Sequence, residues 1–331
     1  MQVRPCTVAR GADFADHLAR GHDIDRIVAL DDYDVATAAS LREHLRLPGL
    51  GESTARRFRD KLAMRAAAAA DGIRVPPFTG LFNYDRLRDY MANVPAPWVL
   101  KPRFEAGAIG IRKLHDSEQV WRSLDELGDQ QSFYLLEQFV PGDVYHVDSI
   151  VYQREVRPAV ASRYGTPPFD VSHGGGVFTS SQVERGSADD RDVLELNRRV
   201  LTSLGLVRGV SHSEYIRGLD GQFVFLETSA RVGGAHIADL VEAATGLSLW
   251  AEWARIEQAG GEAPYDVRPA RADYAGLLVT LARQEHPSLD AYSDPEVVWR
   301  PDKRHHPRFI VRSASFPPVP ALAIASAPRF V

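Results

Sequence analysis

Residues 209–234, GVSHSEYIRGLDGQFVFLETSARVGG, constrain this chain more than any other stretch. They read as two short strands joined at Asp220-Gly221, because both positions tolerate the positive φ that a two-residue type I′ turn needs. A turn there sets Glu214 opposite Glu227 and His212 opposite Ser229. Strand side chains alternate, so the same reading puts Phe223, Phe225, Glu227, Ser229 and Arg231 on one face. Directly opposed residues sit about 5 Å apart at Cβ, where like charges repel. Something positive is therefore expected between the two glutamates. Mg2+ takes hard oxygen ligands and uses only one or two carboxylates when a substrate supplies phosphates. The bland alternative is a surface hairpin carrying two unpaired acids.

The rest of the composition narrows the class of protein. The chain has 331 residues, 44% hydrophobic and 25% charged, which is ordinary for a globular protein and allows about two domains at roughly 150 residues each. Its net charge of −5 comes from 39 basic and 44 acidic residues. The nearest thing to a basic run is PDKRHHPRF, 301–309, which a solvated loop explains as well, so nucleic acid is not an expected partner. Cys6 stands alone, which excludes an internal disulfide and a cysteine-rich metal site. The N-terminus lacks an apolar core of signal-peptide length. No apolar run reaches the roughly 18 residues that cross a bilayer. No membrane partner and a cytoplasmic location are the expectations.

Along the chain, DRIVALDD (25–32) reads as a buried strand ending in acids, and VATAASLREHLRLPG as a helix stopped at Pro48-Gly49. A second helix lies within ESTARRFRDKLAMRAAAAADGIRVPPF, ending at Asp71-Gly72. WVLKPRFEAGAIGIRKL gives strand, glycine-bearing loop and strand; a helix around DSEQVWRSLDEL and the strand FYLLEQFV follow. Pro141-Gly142 marks a hinge or boundary. VYHVDSIVYQ and REVRPAVASRYG alternate like another hairpin, GTPPFDVSHGGGVFTSS reads as a long Gly/Pro-rich loop, and RDVLELNRRVLTSLGL is an amphipathic helix. The tail from Gly260 has strand-like pieces and no motif.

Several residues outside the hairpin carry chemistry. Lys101 ends a strand just before a loop holding Gly107 and Gly110, where backbone N–H groups can approach phosphate oxygens and an ammonium complements their charge. The spacing is not that of a P-loop, and a structural hairpin with a chance lysine is the alternative. Lys61 lies within an expected helix, where a lysine is usually solvated. Glu137 ends an apolar strand at the hinge, where its carboxylate could accept from an adenine amino group while the backbone of Phe139 or Val140 reads the ring edge; taken alone, a strand-end glutamate in water is the favoured reading. Arg231 could hold a phosphoryl group or a carboxylate bidentately, or serve only as a surface ion pair. His146, His173, His212 and His236 are scattered and suggest no site by themselves.

The order of these pieces is more specific than any one of them. RDKLAMRAAAAADGIRVPPF, WVLKPRFEAGAIGI, LLEQFVPGDVYHVDSIV, GVSHSEYI and FVFLETSARVGG together resemble the ATP-grasp superfamily, in the flavour of its carboxylate–amine ligases that join amino acids, from about residue 25 to 256. The resemblance implies an α/β chain with α+β lobes: two ATP-grasp lobes clasping ATP, preceded by a shortened α/β N-terminal domain. Its implied boundaries are a partial N-terminal domain at 1–75, a small lobe at 76–140, a large lobe at 141–260 and an accessory segment at 261–331. It implies that Lys61 and Lys101 contact the nucleotide phosphates and that the loop carrying Glu105, Gly107, Ala108 and Gly110 covers them. Glu137, Gln138, Phe139 and Val140 become the adenine-reading hinge. Glu214 and Glu227 become magnesium carboxylates, for two ions with Mn2+ as a substitute, and Arg231 steadies the acyl-phosphate.

The pattern departs in three places. Ser229 stands where the family commonly has an asparagine metal ligand. Val144 replaces a ribose-binding glutamate, leaving Asp143 or His146 to compensate, and the N-terminal domain is short by a βα unit or more. The implied partners are a small-molecule carboxylate and an amine, with room for a homodimer. The implied activity is amide formation through an acyl-phosphate. Another ATP-grasp ligase or carboxylase, and a nucleotide-binding scaffold without catalysis, remain as alternative readings.

Overall fold

The computed structural model describes residues 17–174, 176–261, 263–280, 285, 294–301, 305 and 307–316. Cys6, with all of 1–16, and positions 302–304 and 306 of the basic stretch lie outside them. Among the described residues no helix is long and apolar enough to cross a membrane.

Residues 25–30, expected as a strand, join no sheet. A strand needs a neighbour to satisfy its backbone, and no described strand precedes residue 78. Side chains anchor the segment instead. Arg42 Nε donates to the Ile27 carbonyl at 2.7 Å. Ile27 and Ala29 pack with Val35, Ala38, Ala39 and Ala55. A 3-10 turn at Asp32–Asp34 leads into α1 (Val35–His44). The expected second helix splits into α2 (Glu52–Arg56) and α3 (Lys61–Ala70). Asp60 caps α3 by accepting from the Leu62 N–H at 3.1 Å. Gly72, at φ 68°, follows its end as expected.

A four-stranded antiparallel sheet comes next. It holds β1 (Phe78–Gly80), β2 (Trp98–Pro102), β3 (Arg112–Leu114) and β4 (Tyr134–Gln138) in the order β1-β4-β2-β3. Helices α4 (Tyr84–Asn93) and α5 (Ser117–Leu127) cover it through Leu87, Val120 and Leu124 against Trp98, Leu100 and Leu136.

The chain then crosses Phe139–Pro141 into an eight-stranded sheet. Its first strands, β5 (Gly142–Tyr152) and β6 (Glu155–Tyr164), are joined by Gln153 and Arg154, both at positive φ. The stretch expected as a long loop instead forms α6 (Pro168–Gly174) and β7 (Phe178–Gln182). Helix α7 (Ala188–Leu204) presents Val193, Val200 and Leu204 to the sheet, and Met64 and Ala68 of α3 share that core. After β8 (Gly209–Gly218) and β9 (Phe223–Ser229) come α8 (Ile237–Thr245) and α9 (Leu249–Ala259). Strands β10 (Tyr274–Val279), β11 (Val297–Trp299) and β12 (Arg308–Ser313) follow. The order is β11-β12-β10-β7-β6-β5-β8-β9. The tail expected as an accessory segment therefore extends this sheet: Leu277 pairs with Ser180 on one side and Ile310 on the other.

The β8–β9 hairpin has the expected register at its far end and a different turn. The Gly218 N–H donates to Gln222 O at 2.9 Å, closing a three-residue loop in which Gly221, not Asp220, takes positive φ. A bulge after Glu214 absorbs the extra residue, so Tyr215 faces Phe225 while Glu214 still faces Glu227 and His212 faces Ser229. The bulge also breaks the expected common face. Phe223 and Phe225 pack into the core with Tyr145 and Tyr215, whereas Glu227 and Ser229 face a cavity.

Candidate active site

Two cavities meet along the cleft between the sheets. One, of about 280 Å³, lies at the crossing and is mostly apolar, lined by Val99, Ile111, Phe139, Val140, Val144, Ile216 and Leu226. The other, of about 610 Å³, also has apolar walls, Leu30, Phe58 and Ile109 among them, but carries the polar groups Asp32, Arg59, Lys61, Glu105, His212, Ser229 and Arg231. Glu214, Glu227 and Gly107 line both. The hairpin thus stands at the junction, and each carboxylate has a partner there. Lys61 Nζ lies 3.2 Å from Glu227, and the Tyr164 hydroxyl donates to Glu214 at 2.8 Å. Burial alone would raise the Glu227 carboxyl; Lys61, then Lys101 and Arg65, outweigh it and hold it at about 2. The positive charge expected between the glutamates is divided: Lys61 stands beside Glu227, and His212 Nε2 lies 3.6 Å from Glu214.

The glycine loop is tied down from two directions. Lys61 Nζ donates to the Glu105 carbonyl at 2.6 Å, and the Tyr33 hydroxyl donates to the Glu105 carboxylate at 2.8 Å. Gly107, Ala108 and Gly110 all take left-handed φ, near 68°, 63° and 71°. Alanine there carries strain of about 1 kcal/mol that glycine would not. Gly107 and Ala108 line the apolar cavity, while Gly110 packs beside Pro102 at the loop's foot.

At the crossing, Gln138, Phe139 and Val140 line the apolar cavity. The Phe139 N–H donates to Pro97 O at 3.0 Å, so its backbone keeps only a carbonyl for a ring edge. Glu137, expected to meet an adenine amino group, has its carboxylate committed elsewhere. It is 2% exposed, paired with Lys101, and Arg65 Nε and Nη2 both lie 3.2 Å from its second oxygen. Burial would raise its carboxyl; Arg65 and then Lys101 hold it below the usual range. Burial also lowers the Lys101 ammonium, with Glu137 opposing.

Neither residue expected to stand in for the ribose ligand lines the apolar cavity. Asp143 is exposed and 3.1 Å from Arg163. His146 is fully buried, with Nδ1 on Asp148 at 2.8 Å and Nε2 on Ser180 at 2.7 Å. Alternation turns Asp143 away from the cavity that Val144 lines, whereas His146 shares Val144's face and is held further along β5 by Asp148 and Ser180. The histidines read as scattered are partly brought together: His212 Nδ1 also contacts Asp148, at 2.9 Å. Burial works against charge on His212, but Asp148 and then Glu214 raise it to about 10. His146, Asp148 and His212 place ligating atoms within 4.8 Å of one another, yet the contacts just given satisfy them internally.

Asp32 is the site residue that sequence reasoning passed over. It accepts from the Ser229 hydroxyl and from Arg231, whose Nε lies 2.9 Å away. Ser229, expected as a metal ligand, therefore has its hydroxyl on a carboxylate. The available signal was the acidic pair closing the apolar run 27–30, read as a strand end rather than a site.

No protein-family model matches the chain. It is 26% identical over 233 residues to the L-arginine-specific L-amino acid ligase of Bacillus subtilis, covering 68% of this chain and 56% of that one. It is 21% identical over 253 residues to alanine–anticapsin ligase of Bacillus subtilis, covering 68% and 52%. The chain thus spans about half the length of these curated relatives. Among solved structures, L-amino acid ligase from Bacillus licheniformis superposes with TM-score 0.77 at 18% identity, over 96% of this chain and 83% of that one. N5-carboxyaminoimidazole ribonucleotide synthetase from Thermus thermophilus gives 0.71 at 19% identity, over 96% and 84%. The fold is the ATP-grasp fold. Within it, the chain is similar in sequence to amino-acid ligases.

Proposed function

We propose that this chain is an ATP-dependent carboxylate–amine ligase that joins small molecules, amino acids foremost, and releases ADP and phosphate. The observation that carries the reading is the meeting of the two cavities at Glu214 and Glu227, with Lys61, Lys101 and the glycine loop around the junction. The apolar cavity suits an adenine ring and the polar one suits two zwitterionic substrates. A carboxylate is a poor electrophile. Its oxygen attacks the γ-phosphorus, ADP leaves, and the acyl-phosphate so formed has phosphate as a leaving group for the amine.

The residues have separable tasks. Lys61 and Lys101 offset phosphate charge, Phe139 and Val140 flank the base, and the loop from Glu105 to Gly110 excludes water. Arg231 holds the carboxylate oxygens as the acyl carbon becomes tetrahedral. Two opposed carboxylates at the junction fit Mg2+, so Glu214 and Glu227 would hold it, as two ions or with Mn2+ in its place. Bound there, the metal would neutralise charge on the transferring phosphoryl group. ATP as substrate fits a cytoplasmic setting.

The test is a screen of amino-acid pairs with Mg2+–ATP, read by phosphate release and by mass spectrometry. A dipeptide formed in step with phosphate is expected. A folded chain that binds Mg2+–ATP yet releases no phosphate with any carboxylate and amine would be a scaffold instead.

A further inference from the structure

Arg65 was not among the residues the sequence pointed to, and it lines neither cavity. It sits one helical turn after Lys61 on α3, is 0% exposed, and reaches under β4 to the Glu137 carboxylate. Lys101 approaches the same carboxylate from β2, where Val99 is directly opposite Glu137, so Lys101 is its diagonal neighbour. The cations divide the oxygens: Lys101 Nζ pairs with Oε1, while Arg65 Nε and Nη2 lie on Oε2.

That division matters because Lys101, on the reading proposed above, must also meet nucleotide phosphates. A lysine that leaves a buried carboxylate without another partner strands a charge in the protein interior, which is among the costliest arrangements a fold can hold. Nucleotide binding would then work against that cost. Arg65 removes the conflict. Its guanidinium keeps its proton however deeply it is buried, and its planar fork can grip both oxygens of one carboxylate. The fork has spare capacity, since Nη1 makes no hydrogen bond among the described residues. The Phe225 ring, 5.8 Å from the guanidinium carbon, leaves it little room to stray.

We propose that Arg65 is a positioning residue for the nucleotide: it retains Glu137 when Lys101 turns to the phosphates, and so frees Lys101 to turn. It acts through Lys101 and touches no ligand. The inference rests on the proposed nucleotide site.

The test compares Mg2+–ADP with adenosine, which shares the base and ribose but has no phosphates, by calorimetry on wild type, R65M and R65M/E137Q. In R65M, Lys101 becomes the only cation on Glu137. Its Mg2+–ADP affinity should fall tenfold or more while adenosine affinity stays within twofold. R65M/E137Q no longer has a carboxylate to hold Lys101, and Mg2+–ADP affinity should return to within about threefold of wild type. Equal losses for both ligands in R65M, a wild-type Mg2+–ADP affinity in R65M, or no recovery in the double variant would each overturn the proposal. Should R65M fail to fold, R65K carries the same test. A lysine buried at this depth tends to shed its proton, so the phosphate-selective loss is again expected, and wild-type affinity would overturn the proposal. A wild-type chain that binds no Mg2+–ADP would remove the nucleotide site and Arg65's role together, whereas normal wild-type binding with an unaffected R65M removes only the latter.

Discussion

Asp32 sits where an amide would fit almost as well as a carboxylate, yet its charge fixes Arg231 and engages Ser229. Hydrogen bonds to charged groups contribute about 1.5–3 kcal/mol each. Asp32→Asn should therefore let Arg231 wander and lower kcat/KM for the amino-acid pair by roughly tenfold to a hundredfold. The melting shift given by Mg2+–ATP should persist, because Asp32 lines only the polar cavity. Steady-state rates and thermal melts on one preparation check both halves. Loss of the Mg2+–ATP shift would place Asp32 at the nucleotide instead. The contrast with Glu214 and Glu227 shows what a sequence can reveal about a site. Those two were found because hairpin pairing brings together residues close in sequence. Asp32 and Arg65 meet their partners across 199 and 72 positions, through contacts that local periodicity does not encode.

The hairpin is a case of the right register reached by the wrong turn. Asp-Gly chemistry predicted a two-residue loop; the chain makes a three-residue one and takes up the difference in a bulge. The bulge is what turns Glu227 toward the cavity while Phe225 stays in the core. Elsewhere, α5, α7 and strands β2 to β6 were legible from periodicity, but the segment at 25–30 has strand composition with no sheet to join. Between elements, Glu137 links β4 to β2 and α3 by charge, which makes that junction acid-sensitive. Its carboxyl lies below the usual range in the folded chain. The stability it contributes is present above the unfolded value of about 4.3 and is lost as pH falls toward the lower folded value. Glu137→Gln leaves two buried cations short of a partner, which should cost about 3–5 kcal/mol at pH 6. Urea unfolding at pH 6, 4 and 3 should show the gap between wild type and variant narrowing with acid. A gap that stays constant would mean that Glu137 is not ionised in the fold.

For the molecule as a whole, the strands after residue 260 complete the large sheet. Leu277 on β10 is fully buried with Leu240, Ala244, Ala275 and Ile310. Leu277→Ala should cost about 2–5 kcal/mol and shift one cooperative urea transition to lower midpoint. An unchanged midpoint would make β10 a dispensable addition. No motif announced this role, because β10 pairs with β7 almost a hundred residues upstream. The cleft itself has a further consequence. Three of its cations are paired with carboxylates: Lys61 with Glu227, Lys101 with Glu137, Arg231 with Asp32. On the proposed reading, a metal ion alone would compete with Lys61 for Glu227, and a nucleotide alone would draw Lys61 from Glu227 and Lys101 from Glu137, which Arg65 would retain. Bound together, the metal would take the glutamate and the phosphates the lysines, so each ligand would open the place the other needs. By reciprocity, whatever metal does for nucleotide affinity, nucleotide does for metal affinity. On the proposed reading, the cleft would answer to the pair of ligands more strongly than to either one alone.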